Sequence, residues 1–375
     1  MSERFRRGRS ASLDEAAMTK VIALAATTRG LTSPDPMVAC LIVKKNKIVT
    51  RGYHGEVGTP HAEAFALHKA GPAARGAALY VNLEPCCHFG NNPPCTSAII
   101  QSGIKRVVAA IQDPNPLVAG KGFRELRSAG IEVVSGVLEK EARQLNEAFI
   151  KYITTGKPFI MIKTAMTLDG KIATASGESK YISSPESRAL SHEFRNGADG
   201  ILVGIETVLR DDPRLNVRGG ALYKRRVPPY KIVLDSQGRT PPTASLFHEF
   251  PDRTLIVTTR QASRKRLQAL RQRGAQIVTV KSSGGRVDIR CAIAELGARG
   301  ISSLLVEGGG KTNASLIEAG LVDKIALFIA PKILGGAVAP TPFEGKGVRH
   351  LHEALTLKDV REKRVGSDLL IEGYV

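Results

Sequence analysis

The stretch from His61 to Cys95, HAEAFALHKAGPAARGAALYVNLEPCCHFGNNPPC, constrains this chain more than any other. His61 and Glu63 open an expected helix, Cys86 follows Pro85, and Cys95 follows Pro94. One imidazole and two thiolates supply three ligands of a tetrahedral Zn²⁺ site. Leaving the fourth position to water is the pattern of a catalytic centre rather than a closed structural one. Glu63 stands two residues from the histidine and has no need to touch the metal. Its natural work is to carry protons between an acidified water and a substrate.

The rest of the composition narrows the class. At 375 residues the chain is long for one domain, so two are expected. The formal charge of +19 predicts attraction to anions: RNA, acidic surfaces or phosphorylated small molecules. Tryptophan is absent and aromatics make up 5% of the chain, which argues against a stacking platform for single-stranded nucleic acid. Five cysteines, three of them between Cys86 and Cys95, point to metal in a reducing, cytoplasmic compartment rather than to a disulfide frame. Cys40 and Cys291 read as core thiols. No apolar run approaches the ~20 residues of a membrane span. The opening MSERFRRGRSAS has no apolar signal core, and residues 1–11 read as a disordered basic arm.

Taken in order, Ser12 and Glu15 fit a capping box that opens a helix over 13–28. Strands are expected at 38–43 and 48–53 around a Lys/Asn turn, then a helix at 61–70, a strand at 79–83 that delivers Cys86, and a helix at 96–101 with Cys95 in its first turn. A strand at 106–111, a short helix, a strand at 131–134 and a charged helix at 139–151 follow. Strands alternating with helices mean α/β. YITTGKP marks the boundary between a first domain over 12–153 and a second over 154–375. The second opens on the strand FIMIKTAMT and adds strands at 200–204, 232–235, 255–258, 303–306, 325–329 and 369–371, with helices at 185–196, 264–273 and 313–319. SSGGR at 282–286 reads as a loop, and the clusters KRR at 224–226 and RKR at 264–266 as solvated faces.

H-A-E followed by P-C and a second cysteine matches the zinc deaminase signature, although eight residues here separate Cys86 from Cys95 where the short form has two. With its longer insert, EPCCHFGNNPPC, this half resembles the deaminase half of the bifunctional riboflavin-biosynthesis deaminase/reductases. PDPMVAC and DPNP add to the likeness. The resemblance implies a cytidine-deaminase-like three-layer domain, with zinc on His61, Cys86 and Cys95, Glu63 as the catalytic proton carrier, and Asp35 at the substrate; His88, between the two cysteines, is placed to donate to substrate, with an ordinary surface histidine as the alternative. Asp35 replaces the family's asparagine and Ala39 its glycine; an ionised aspartate accepts hydrogen bonds only, where asparagine also donates.

In the second half KTAMTLDGKIAT, SKYISSPESR, HEFRNGADGILVGIETVLRDDPRLNVR, VLDSQ, VEGGGKTNASLIEAGLVD and IAPKILGG resemble the reductase half of the same family. That implies a dihydrofolate-reductase-like fold using NADPH. VEGGGKT between a strand and a helix is a phosphate cradle in physical terms, since glycines allow close backbone approach and a helix start favours an anion. The resemblance places the cofactor on Ala165, Tyr181, Thr207, Asp211 and Ser236 and on Gly309, Gly310, Lys311, Thr312, Asn313, Ala314 and Ser315. It places substrate on Ser179, Arg195, Leu215, Arg218 and Glu307; two arginines suit a ribose phosphate, and Lys163, in the strand before LDG, is placed either to face the sugar or to snorkel. Tyr181 stands for the family's tryptophan, and Thr167 for a serine. The expected partners are a phosphorylated pyrimidine, NADPH and further copies of the chain, with no membrane and no nucleic acid. Two other readings stay open: an RNA-editing deaminase, favoured by the charge and opposed by the reductase motifs, and a reductase whose zinc domain is impaired or structural only.

Overall fold

The computed structural model of the chain describes residues 3–90, 92–219 and 227–375, with the backbone alone for 3–12. The chain divides into two compact units, residues 1–155 and 156–375.

In the first unit the leading helix α1 runs Glu3–Ala26, so the expected start at Leu13 and the Ser12 cap are corrected. The arm expected to be disordered continues the helix from Glu3. It contains no proline, and extending an existing helix adds a hydrogen bond for each residue fixed, whereas nucleating a new one is costly. Residues 1 and 2 lie outside the described residues. β1 (Ala39–Lys44) and β2 (Lys47–Tyr53) pair antiparallel through a turn in which Lys45 and Asn46 have φ of 50° and 60°. Two successive left-handed residues match the turn to the twist of the strands. Then come α2 (Ala62–Ala70), β3 (Ala78–Leu83), α3 (Cys95–Gln101), β4 (Arg106–Ile111), α4 (Lys121–Ser128) and β5 (Glu132–Ser135). The helix expected over 139–151 is two, α5 (Glu139–Leu145) and α6 (Glu147–Thr155). Asn146 breaks it, because its side chain accepts from the Met37 amide at 2.8 Å and donates to the Met37 carbonyl at 3.1 Å.

The five strands lie in the order β2-β1-β3-β4-β5, and the side-chain period of two builds the layers. Cys40, Ile42, Leu79, Val81, Val107 and Ala109 pack under α2, α3 and α4. Their neighbours Leu41, Tyr80, Val108 and Ala110 pack under α1 and α5. This is the expected three-layer unit. A Cβ at Gly52 would stand 2.1 Å from the Ala62 carbonyl oxygen, so only glycine lets β2 meet the start of α2. That contact sets where His61 and Glu63 sit.

The second unit contains β6 (Phe159–Thr167), α7 (Pro185–Gly197), β7 (Gly200–Gly204), α8 (Ile205–Asp211), β8 (Tyr230–Leu234), β9 (Thr254–Thr258), α9 (Arg264–Gln272) and β10 (Gln276–Thr279). A hairpin of β11 (Ser282–Ser283) and β12 (Arg286–Val287) replaces the loop expected at 282–286. After it come α10 (Ile289–Ala298), β13 (Ser303–Val306), α11 (Gly310–Glu318), β14 (Lys324–Ala330), β15 (Lys358–Val365) and β16 (Asp368–Tyr374). The nine-stranded sheet has the order β10-β9-β8-β7-β13-β6-β14-β16-β15 and is parallel from β10 to β14. Ile201, Val203, Val233 and Ile256 face one helical layer, and Leu202, Ile232, Leu255 and Val257 the other. From β7 the chain moves on to β8, and from β13 it moves the opposite way to β14. A switch point therefore lies between β7 and β13, where parallel sheets open a crevice. The RKR cluster at 264–266 is exposed, as expected; the KRR cluster at 224–226 lies outside the described residues. Among the described residues no helix is long and apolar enough to cross a membrane.

One ion pair fastens α1 to the first sheet. Buried Asp14 accepts two hydrogen bonds from Arg106, both 2.8 Å, and one from the Tyr80 hydroxyl at 2.8 Å. Burial pushes its carboxyl up, but Arg106 and Tyr80 overcome this and hold it below the ordinary carboxylate range. A depressed folded-state pKa adds stability above the unfolded value of about 4, lost as pH falls through the folded value. Asp14→Ala should cost about 1.5–3 kcal/mol at pH 7, and the deficit should shrink at a pH below about 4. Urea unfolding followed by circular dichroism at both pH values measures it; an equal deficit at both would exclude the charge as its source.

Candidate functional site

Three elements converge at the first unit's centre. His61 ends the approach to α2 in extended backbone, with φ −63° and ψ 156°. Cys86 follows β3, and Cys95 is the first residue of α3. The ligand atoms of His61, Cys86 and Cys95 all lie within 4.8 Å of one another. His61 Nδ1 is 3.3 Å from Cys95 Sγ and 3.5 Å from Cys86 Sγ. Zn–S near 2.3 Å and Zn–N near 2.0 Å at tetrahedral angles require an N···S separation of ~3.6 Å. The trio therefore fits the metal. Hydrogen bonding from Cys95, joined by His61, draws the Cys86 thiol down to about 4, while the same sulfur–sulfur contact and burial push Cys95 up. Two sulfurs this close to one imidazole are a donor set that suits a cation. Glu63, in the first turn of α2, is 4% exposed, and burial followed by the Cys86 charge raises its carboxyl to about 7.

The expected substrate residues lie around this trio, with one unforeseen partner. Asp35 Oδ2 is 3.3 Å from His54 Nε2, and the His54 ring stands edge-on to His61 with centroids 5.6 Å apart. His54 is buried while the Asp35 side chain is 43% exposed. Nothing in the sequence sets His54 apart from an ordinary core histidine. Nδ1 of His88 is buried with no hydrogen-bond partner among the described residues. Glu84 was also missed. It is buried, and its carboxylate accepts from the amides of Asp113 (3.1 Å), Gly120 (2.9 Å) and Phe123 (3.0 Å). It thereby fixes the DPNP loop beside Cys86.

In the second unit a cavity of about 660 Å³ opens at the switch point. Thr207, Asp211, Ser236, Gly309, Gly310, Lys311, Thr312 and Ser315 line it, as does Ser179, whose hydroxyl donates to Asp211 at 2.8 Å. Ala165, Tyr181, Asn313 and Ala314 do not line it. Asn313 and Ala314 occupy the inward face of α11, and Asn313 donates to the Pro342 carbonyl at 2.9 Å. Tyr181 is exposed, with the Arg188 guanidinium 4.4 Å from its ring centre. The cradle is built to be approached: a Cβ at Gly308 would strike Thr312 Cβ at 2.8 Å, while one at Gly309 would meet nothing within 4 Å.

Just before those glycines Glu307 receives a two-pronged pair from Arg195, both bonds 2.7 Å, with Lys163 Nζ at 4.0 Å. Burial opposes its charge, but Arg195 and Lys163 prevail and hold the carboxyl at about 2. Arg195 also donates to the Asn216 carbonyl at 3.0 Å, next to buried Leu215, and the Arg218 amide donates to His192 at 3.2 Å. The residues expected to hold substrate are thus one linked group, apart from Ser179. Gln237, Arg239 and Arg286 also line the cavity and were missed.

Residues 11–111 match the cytidine and deoxycytidylate deaminase zinc-binding region, and residues 158–371 match the RibD C-terminal domain. The chain is 43% identical over 359 residues to the riboflavin biosynthesis protein RibD of Aquifex aeolicus, covering 96% of this chain and 98% of that one. Its counterpart from Escherichia coli is 40% identical over 370 residues, covering 96% and 98%. Among solved structures, Acinetobacter baumannii RibD, form 1, superposes with a TM-score of 0.87 at 34% identity, over 97% of this chain and 99% of that one. The deaminase/reductase of Thermotoga maritima gives 0.83 at 34% over the same shares.

The metal centre makes a direct prediction. Purified protein should carry about one zinc per chain; Cys86→Ala and Cys95→Ala should each lose it, whereas Cys87→Ala should keep it. Elemental analysis decides, and full occupancy in both ligand variants would remove the site.

Proposed function

The chain belongs to the bifunctional riboflavin-biosynthesis deaminase/reductase family, and from that membership we propose a substrate for each half and roles for its residues. The first unit hydrolytically removes the 2-amino group of 2,5-diamino-6-(5-phosphoribosylamino)pyrimidin-4(3H)-one. The second reduces the product's ribosyl group to ribityl with NADPH. The observation that carries the first assignment is the His61, Cys86 and Cys95 triangle with Glu63 buried beside it.

When bound, zinc supplies a water acidified to a pKa of about 7. The protein's part is proton traffic and placement. Glu63, raised by burial toward neutrality, takes a proton from water and returns protons to the ring nitrogen and the departing ammonia. Asp35, steadied by His54, and His88, with its unpartnered buried nitrogen, orient the pyrimidine. In the second unit NADPH supplies the hydride. The Gly309–Thr312 cradle holds the cofactor phosphates, with Thr207, Asp211, Ser236 and Ser315 around it. The Lys163, Arg195 and Glu307 group receives the sugar phosphate from the adjoining segment, with Ser179, Leu215 and Arg218 at its margin. All five cysteines are free, which suits a cytoplasmic chain.

Incubation with the diaminopyrimidine followed by mass measurement tests the whole. Without NADPH an amino group should be exchanged for oxygen; only with NADPH should hydrogens be added to the sugar. Glu63→Gln should keep zinc and reduction but lose about 10²–10⁴ in deamination rate; unchanged ammonia release would assign proton transfer to another group. Gly309→Val should fold, since its Cβ meets open space, yet abolish NADPH binding and spare deamination. Normal NADPH binding by that variant would move the cradle elsewhere. Asp35→Asn, which restores a donor, should raise deamination about tenfold. Its loss instead would mean that the substrate offers a donor to this carboxylate.

A further inference from the structure

We infer that Arg286, seconded by Arg239, forms the subsite that selects a dinucleotide bearing a phosphate on its adenosine 2′-oxygen. The inference rests on the reading that the cavity takes a nicotinamide dinucleotide. The glycine cradle after β13 fixes where the pyrophosphate lies. One end of the cavity is lined by Ile172, Ala173 and Ser179, the last at the margin of the proposed substrate site and donating to Asp211. The opposite end lies beyond β8 and is walled by Ser236, Gln237, Arg239 and the β11–β12 hairpin. The adenosine half belongs there.

Dinucleotide sites that prefer an unphosphorylated ribose place a carboxylate on its 2′-hydroxyl, and those that prefer the phosphate place an arginine nearby. The carboxylate closest in sequence to the end of β8 is Asp235, and it is withdrawn. It is 0% exposed, and its Oδ2 accepts from both the amide and the hydroxyl of Thr240 at 2.7 Å. Asp235 Oδ1 is likewise enclosed in the protein, and the residue does not line the cavity. The other carboxylates on the wall are occupied: Glu206 pairs with Arg239, and Asp211 accepts from Ser179, while Glu344 lies near the cradle at Gly310.

The hairpin has the features of a mount for a cation. Gly284 and Gly285 have φ of 55° and 75°, so a two-residue turn reverses the chain there. The Val287 amide donates to Ser236 Oγ at 2.9 Å, stapling the hairpin to the loop after β8. Between turn and staple stands Arg286. It is exposed on the cavity wall, and its side chain makes no hydrogen bond or ion pair among the described residues. A guanidinium held at its base and free at its fork suits a phosphate monoester. Arg239 is already paired with Glu206 and so contributes geometry more than net charge; Arg286 brings the uncompensated charge.

Isothermal calorimetry on the full chain tests this, using NADPH, NADH, 2′,5′-ADP and 5′-ADP. Wild-type protein should bind NADPH more tightly than NADH, and 2′,5′-ADP more tightly than 5′-ADP. Arg286→Ala should weaken NADPH and 2′,5′-ADP by about ten- to hundredfold and leave NADH and 5′-ADP unchanged. Arg286→Lys should recover part of the loss, and Arg239→Ala should reduce the preference less. Equal weakening of both cofactors by Arg286→Ala, or no effect on either, overturns this inference and leaves the cofactor reading intact. Failure of the wild type to bind either dinucleotide overturns both.

Discussion

The carboxylate of Glu84 holds the first unit's chemistry in place. It leaves the end of β3 one residue before Pro85 and two before Cys86, and it takes three backbone amides from a segment 29 to 39 residues further on. An ionised group buried without partners would be costly, and here each hydrogen bond offsets part of that cost while fixing a piece of chain. The loop from Asp113 to Gly120 and the start of α4 are thereby set against the strand that leads to Cys86. Gly122 completes the fit, since a Cβ there would stand 2.2 Å from the Pro85 carbonyl oxygen. Cys86 is held by a frame of backbone contacts that excludes larger side chains.

The second unit solves a different electrostatic problem. It collects cations around Glu307 at the carboxyl end of β13, and the switch point supplies the room. Glu307 keeps that collection from repelling itself. It neutralises Arg195 and steadies Lys163, and it pins both to the strand that continues into the glycine cradle. Truncating Glu307 would strand two largely enclosed cations, so its loss would harm the fold as well as any site.

How much could be read in advance depended on whether a residue's chemistry is local. His61, Glu63, Cys86 and Cys95 were legible because a histidine, a carboxylate and thiols at these intervals suit little besides a metal and its bound water. Most strands were legible by apolar content, and Ser303–Val306 and Arg106–Ile111 form as expected. Glu84, His54 and Asn146 were not, because each is defined by partners brought to it only by the fold. Asn313 and Ala314 sit within a stretch where resemblance marks every position, yet a helix turns one face inward and both lie on it. The β11–β12 hairpin was read as a loop because strands of two residues are too short to show a period.

β15 was missed for a related reason, and its composition bears on how the protein behaves in concentrated solution. It reads KDVREKRV, has seven of its eight residues exposed, and closes one side of the nine-stranded sheet. Its pairing with β16 shifts register between Lys358 and Arg361. An open edge of unpaired backbone groups can recruit the edge of another molecule and grow without limit. Lysines and arginines projecting from this strand would meet their own kind across such a seam, and the irregular register bends the edge away from a flat match. The same charges that gave the strand no apolar rhythm to detect therefore guard the sheet against aggregation at its exposed rim.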